Sequence, residues 1–477
     1  MSFGKQAIHA ILWNTCGNYI GFGINFISQL LLARLLMPED FGLFTLAISI
    51  FEILSLLTSW SFPLAIIQIP EEEDLIDTAF WLSLLEGIIV LIITAIISLG
   101  LNTFYPNHKN LPLVFFIIGL GRVISFINGI YIACLEKNLK YEKLTLVKTI
   151  ISVITIVFAL IFAIMGFGIW SLVIRELMIV FLSFIGFKYI SGWKFTWKYN
   201  QQLSKKIISF SSKMLLSRSL ESIFYRLDSF LIGIFGGVNM LGYYSQARYL
   251  VDVSNTISSS GSAVAALPVF SKIQHDEIKL KEASSLLNYF LIRLMLPFSL
   301  IFMLFPYEIV VLLYGEKWRN AGLSLLCIGL YATLVPLFEN LKSLLYGVGK
   351  VEVIAYIRII QISIATPLII FGIQSFGIVG SSIGFMISIL VGVCVIYIVM
   401  LKYTLGSIKK NILVPVTSGI ISWVCVFCLK RYVFYDLAGL QFLLLVIVTL
   451  GIYFMLLFLL EHELLIKNLQ RIYSKLK

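Results

Sequence analysis

Apolar runs of about twenty residues, the length that crosses a hydrocarbon core of roughly 30 Å, follow one another almost from end to end of the chain. Inside a bilayer every backbone N–H and C=O must be bonded within the protein, so only helices or closed barrels span it. Barrel strands alternate apolar and polar residues in short segments, and these runs do not alternate. An all-α polytopic membrane protein is therefore expected. Composition agrees, because 59% of the residues are hydrophobic and only 13% charged, against about 25% charged in soluble domains.

Fourteen spans are expected. The first six are Ile11–Leu36, Phe41–Ile66, Thr78–Leu99, Leu113–Cys134, Leu146–Met165 and Gly168–Phe187. The next six are Ile207–Phe235, Met240–Leu267, Leu286–Leu313, Gly322–Val348, Ile354–Phe371 and Ile378–Leu401. Ile412–Leu429 and Leu440–Leu460 close the chain. With the N-terminus placed in the cytoplasm, 20 lysines and arginines outside the spans fall on the cytoplasmic side and 5 outside it. Positive charge is retained in the cytoplasm, so both termini are expected there. The net charge of +11 is thus read as orientation and not as a nucleic-acid surface. The resulting units are 1–190, a cytoplasmic linker at 191–206, 207–401, and two further helices with a basic tail at 402–477. Trp193, Trp197 and several lysines make the linker either an interfacial segment on anionic lipid or a solvated loop.

Leu31 to Ala47 reads LLARLLMPEDFGLFTLA, two apolar runs joined at Met37-Pro38-Glu39-Asp40. It has an ungapped echo two hundred positions later, where Gly42 falls on Gly242, Ala47 on Ala247 and Glu52 on Asp252. Such self-similarity is a frequent transporter device.

Polar side chains inside the spans are the next constraint. An ionisable group at mid-bilayer costs roughly 2.5–3.5 kcal/mol and normally faces the bundle interior or a wet cavity. Arg218, Glu221, Tyr225 and Asp228 share one helical stripe by their spacing. In the matching register Asn14, Asn18, Gly21, Asn25 and Ser28 form a neutral stripe. A shared central cavity is the simplest place for both. Arg248 and Asp252 are four apart and so positioned to pair. Glu86, Arg122, Arg175 with Glu176, Glu339 with Lys342, and Arg358 are further intramembrane groups. Each of these is read either as functional or as a structural ion pair, and Arg34, Arg293 and Glu308, near span ends, as structural. Pro63, Pro297, Pro336 and Pro367 are expected to kink or weaken helices.

Several signals carry no chemistry. Cys425 and Cys428 form a CxxC with no second pair or nearby histidine, which leaves two small residues on one helix. Gly347-Val348-Gly349-Lys350 lacks the Ser or Thr and the preceding strand of a phosphate loop. The four histidines are scattered, so no metal site is expected.

The stretch Leu31 to Ala47 resembles the hallmark of the oligosaccharide flippase (polysaccharide synthase, Wzx/TuaB-like) family of the MATE/flippase (MOP) superfamily. Arg226 to Asp252 (RLDSFLIGIFGGVNMLGYYSQARYLVD) and Leu312 to Ala332 (LLYGEKWRNAGLSLLCIGLYA) resemble its second and third blocks. The resemblance implies a MATE-like two-lobed bundle of six plus six helices, often with two more at the C-terminus. It also implies a non-enzymatic flippase of the bacterial cytoplasmic (inner) membrane. The cargo would be an undecaprenyl-pyrophosphate-linked oligosaccharide for O-antigen, capsule or exopolysaccharide, and a polymerase and a chain-length regulator would be partners. No cofactor is implied.

The family supplies no motif-matched ligand residues, so the site is read from spacing alone. Arg218 and Arg248 are expected to bind the pyrophosphate, because arginine forks match phosphate oxygens. Arg122, Arg175, Tyr225, Asn18 and Asn25 would complete the cavity. Glu52, Asp228, Asp252 and Glu221 would balance charge or accept a coupling H⁺ or Na⁺. The alternatives are a MATE-type exporter of small cations, disfavoured by the arginines, and a glycan polymerase or ligase, disfavoured by the short external loops.

Overall fold

The computed structural model describes residues 3–54, 60–70, 72–400, 409–432 and 440–476. Every regular element among them is helical. They form two compact units, Met1–Gly233 and Ile234–Lys477. Eight described helices are long and apolar enough to cross a membrane, and one pair bent by 44° meets the same test together.

The first unit contains α1 (Phe3–Leu35), α2 (Pro38–Ile53), α3 (Phe62–Gln68), α4 (Leu75–Phe104), α5 (Asn110–Lys137), α6 (Tyr141–Ile164), α7 (Ile169–Ser191) and most of α8 (Gln201–Phe235). The hallmark turn has a local cause. Pro38 opens α2, where its missing N–H is no loss, and the Asp40 carboxylate accepts the Met37 N–H at 3.0 Å. The second expected span, Phe41–Ile66, is not one helix. Helix α2 ends at Ile53, Trp60 and Ser61 are not helical, and α3 begins at Phe62 beside Pro63, which favours the first turn of a new helix; residues 55–59 lie outside the described residues.

Helix α4 shows the packing rule of the whole molecule. Leu82, Glu86, Val90, Thr94 and Leu101 are buried, while Ile92, Ile96 and Leu99 are exposed. The buried face mixes apolar residues with the polar Glu86 and Thr94, while the outward face is large and apolar throughout, which is the arrangement of a helix solvated by lipid. Small residues also set the spacing: a Cβ on Gly119 would overlap Thr94.

The expected linker 191–206 is partly helical, since Ser191 ends α7 and 201–206 open α8, and the non-helical residues 192–200 between them are not a free loop. Thr196 N–H donates to Asp77 Oδ1 at 2.8 Å, Asn200 N–H to Thr78 Oγ1 at 3.2 Å, and Lys198 bonds Glu73 at 2.8 Å. Phe80 and Trp81 of α4 pack against Trp193, Phe195 and Trp197. The segment is strapped to the start of α4.

The second unit continues with α9 (Val238–Lys272), α10 (Glu277–Leu304), α11 (Pro306–Tyr314), α12 (Ala321–Ile328), α13 (Tyr331–Gly347), α14 (Val351–Val399), α15 (Val414–Tyr432) and α16 (Leu440–Leu476). The expected span Leu286–Leu313 is broken at Phe305, in front of Pro306. The expected span Gly322–Val348 is the bent pair α12 and α13. Within α14, Gly377 leaves the helix at φ 59°, so two antiparallel arms form, as the separate spans Ile354–Phe371 and Ile378–Leu401 anticipate. Gly372 and Gly380 bring the arms into backbone contact. The tail residues Lys467, Arg471, Lys475 and Lys477 lie outside the described side chains.

Candidate functional site

The neutral stripe of α1 opens onto a cavity of about 550 Å³ inside the first unit. Asn14, Asn18 and Asn25 line it from α1, Ser125 and Asn128 from α5, Lys148 and Ser152 from α6, and Glu176 and Ser183 from α7. The spacing that places the asparagines on one face of α1 thus puts them all on one wall. Helix α6 approaches α1 closely because residue 17 is glycine, where a Cβ would overlap Thr145. Thr145 Oγ1 then bonds the Trp13 carbonyl at 3.3 Å.

The polar groups are partly held and partly open. Arg175 Nη2 donates to Asn25 Oδ1 at 2.7 Å, and Asn25 Nδ2 donates to the Gly21 carbonyl at 2.9 Å. Asn128 Nδ2 donates to the Val180 carbonyl at 3.0 Å, but its Oδ1 is buried without a hydrogen-bond partner. Among the lining groups Lys148 is the cation and Glu176 the anion. Amides and hydroxyls can both donate and accept, so the cavity suits a neutral, many-hydroxyl ligand better than a bare ion. Phe22 and Phe187 supply apolar faces. The volume falls within the roughly 300–1,000 Å³ of small-ligand sites.

Asn18, Asn25 and Arg175 are therefore brought together, Arg175 through its bond to Asn25. The charged stripe lies on α8: Arg218 and Tyr225 are exposed, Glu221 is half-buried and Asp228 is buried, accepting the Ser229 N–H at 2.7 Å. Arg122, on α5, lies over the Phe51 ring at 5.6 Å, and its buried Nε has no hydrogen-bond partner. Glu52 is half-buried at the end of α2.

In the second unit Arg248 is buried. Its Nε lies 3.4 Å from Asp252 Oδ1, its Nη2 donates to the Tyr331 hydroxyl at 2.6 Å, and Tyr331 and Phe385 lie against it at 4.2 and 4.7 Å. Such a held guanidinium is built into its surroundings. Arg218 belongs to the first unit and Arg248 to the second.

Sequence reading missed Lys148, Asn128, Ser125, Ser152 and Ser183. A signal for α6 existed: Thr145, Lys148, Thr149 and Ser152 are spaced +3, +1 and +3, a polar stripe at the start of an apolar run. Ser125 and Asn128 follow Arg122 at +3 and +3, so they too form a polar stripe that spacing could have found.

A model of the family described as polysaccharide biosynthesis protein matches residues 31–322. The lipopolysaccharide biosynthesis protein WzxC of Escherichia coli (strain K12) is 23% identical over 422 residues, covering 85% of this chain and 83% of that one. The succinoglycan biosynthesis transport protein ExoT of Rhizobium meliloti (strain 1021) is 23% identical over 379 residues, 77% of this chain and 74% of that one. Among solved structures, the lipid II flippase MurJ in an inward closed conformation superposes with a TM-score of 0.73 at 14% identity, covering 95% of this chain and 100% of that one.

Proposed function

The chain belongs to the polysaccharide biosynthesis protein family, and from that premise we propose that this multi-pass membrane protein is a flippase for a lipid-linked oligosaccharide. It carries the unit from the cytoplasmic to the outer leaflet of a bacterial inner membrane by alternating access and makes or breaks no covalent bond. The observation that carries this reading is the amide- and hydroxyl-lined cavity enclosed by apolar membrane helices. Burying polar groups in lipid is costly, and the lining can offset that cost only for a ligand with many donors and acceptors.

In this reading Asn14, Asn18, Asn25, Asn128 and the serines receive sugar hydroxyls, and Arg175 keeps Asn25 oriented. The lipid carrier is undecaprenyl pyrophosphate, whose head group is met by Arg218 on its exposed stripe. Arg122 provides a second cation on α5. Arg248 contributes by holding Asp252 and Tyr331 in place and not by binding phosphate, since its guanidinium is already engaged. Transport is coupled to an ion gradient, and the dissipation of that gradient sets the direction.

Reconstitution tests this. A fluorescent lipid-linked oligosaccharide placed in both leaflets of a vesicle is quenched from outside by a membrane-impermeant reductant. Protein-containing vesicles should lose nearly all of the signal, and empty ones about half. A signal stuck at the empty-vesicle level, in vesicles that do export a cationic dye, would instead assign the protein to small-molecule export.

A further inference from the structure

The break between α2 and α3 leaves a buried acid that the transport reading has not used. Glu86, on α4, is 5% exposed. Its one polar contact among the described residues is the Trp60 N–H, which donates to Oε1 at 3.3 Å. Trp60 precedes the restart of the helix and stacks on Phe62. Two hydroxyls share this corner. Ser83 lies one turn before Glu86 on the same face of α4, and Ser61 follows Trp60. Both are buried, and neither Oγ has a hydrogen-bond partner.

Among the described residues no cation forms an ion pair with the acid. The sequence from Phe51 to Pro70 contains no lysine, arginine or histidine, and α3 carries no titratable group. On α5, which packs along α4, Arg122 is turned to Phe51, Tyr131 packs against Phe184 and Trp193, and Cys134 is buried. Asp77, on α4 itself, takes the Thr196 N–H, and Lys206, near the start of α8, pairs with Glu72. None forms an ion pair with Glu86.

We propose that Glu86 is a proton-binding site at the α2–α3 break and that its loading and unloading couples a proton gradient to transport. An ionised carboxylate in this setting carries a large desolvation penalty, and a bound proton removes it. The neutral acid gains an O–H donor, and Ser61, next to Trp60, and Ser83, one turn before Glu86, carry buried hydroxyls that are not otherwise engaged. Release of the proton leaves a charge that the site tolerates only if water or a rearranged backbone reaches it. A broken membrane helix is where transporters admit such rearrangement. The step moves one proton on and off a carboxyl oxygen and involves no other reactant. Binding of the proton stands by itself; its coupling role rests on the flippase reading.

Both halves can be tested separately. In purified, reconstituted wild-type protein, a hydrophobic carbodiimide, which attacks protonated carboxyls within lipid, should modify Glu86, and modification should fade as pH rises. The infrared difference spectrum between low and high pH should contain a protonated-carboxyl carbonyl band that is lost in Glu86→Gln. A Glu86 left unmodified at every pH at which the protein stays folded, together with no Glu86-dependent band, would overturn the proposal. In vesicles that flip the lipid-linked oligosaccharide, an imposed pH gradient should speed wild-type flipping several-fold and leave E86Q unaffected. Equal stimulation of the two would overturn the coupling role. Wild-type vesicles that do not flip at all would refute the flippase reading and leave the carbodiimide result standing.

Discussion

Arg293 illustrates what a buried charge requires of a membrane helix. It forms a two-pronged pair with Glu461, Nε to Oε2 at 2.9 Å and Nη2 to Oε1 at 2.7 Å, and bonds the Tyr289 and Asn411 carbonyls. The sequence marks Arg293 as structural by its place near a span end, but not its partner, which is 168 positions away. Glu308 repeats the case with Lys430, at 2.6 Å. Local spacing thus exposes pairs such as Arg248 with Asp252, while pairs closed by tertiary packing leave no local trace. Removing one partner of a buried pair leaves the other uncompensated, so Arg293→Met or Glu461→Gln alone should destabilise the protein by about 3–5 kcal/mol. The double change R293M/E461L should restore most of that, and thermal unfolding in detergent will measure both. In the cavity, Asn25→Leu removes the acceptor that holds Arg175. It should weaken binding of lipid-linked oligosaccharide about 10- to 100-fold, the effect of one lost charge-assisted hydrogen bond of roughly 1.5–3 kcal/mol. Fluorescence polarisation of the labelled cargo reads this directly.

At the scale of elements, apolar run lengths located most helices, and glycine and proline chemistry decided where they break. Pro306 and Pro63 stand beside real breaks. The interruption at Pro63 was legible as an expected kink, whereas the one at Pro306 was not, because that proline was read as part of a continuous span. Gly377 occupies a conformation that a β-carbon strains, so Gly377→Val should cost about 1–3 kcal/mol and lower the unfolding temperature, whereas Ile378→Val should not. The linker strap responds to pH. Lys198 beside Glu73, by hydrogen bond first and charge second, holds that carboxyl below its ordinary range, and the same contact, joined by Asp74, lifts the Lys198 ammonium above its own. Glu73's contribution is therefore present above the ordinary carboxylate range and lost as pH falls through its lowered value. Lys198's is complete below the ordinary lysine value and lost as pH rises through its raised one. The strap should be tightest around neutrality. Protection of the Thr196 and Asn200 amides from hydrogen exchange, taken relative to the free-peptide rate at the same pH, should fall in acid and in Lys198→Ala, and unchanged protection would show that the aromatic cluster alone holds the segment.

For the whole molecule, composition and run length identified the membrane class, and three short blocks identified the family, because both are written into contiguous sequence. The cavity was half legible. Its α1 wall follows from one helix's periodicity, but the α5, α6 and α7 walls depend on which helices pack together, which spacing within a helix does not determine. The expected fourteen spans and cytoplasmic termini are part of the proposed transport mechanism and call for accessibility mapping of the loops. The central claim is that the glycan is received in the amide-lined cavity of the first unit. The most direct measurement uses Ser152→Cys in a background free of the six native cysteines. Lipid-linked oligosaccharide should protect this thiol from a membrane-permeant maleimide, and the bare lipid pyrophosphate should not. Labelling at the same rate with and without the oligosaccharide-bearing lipid would contradict the account.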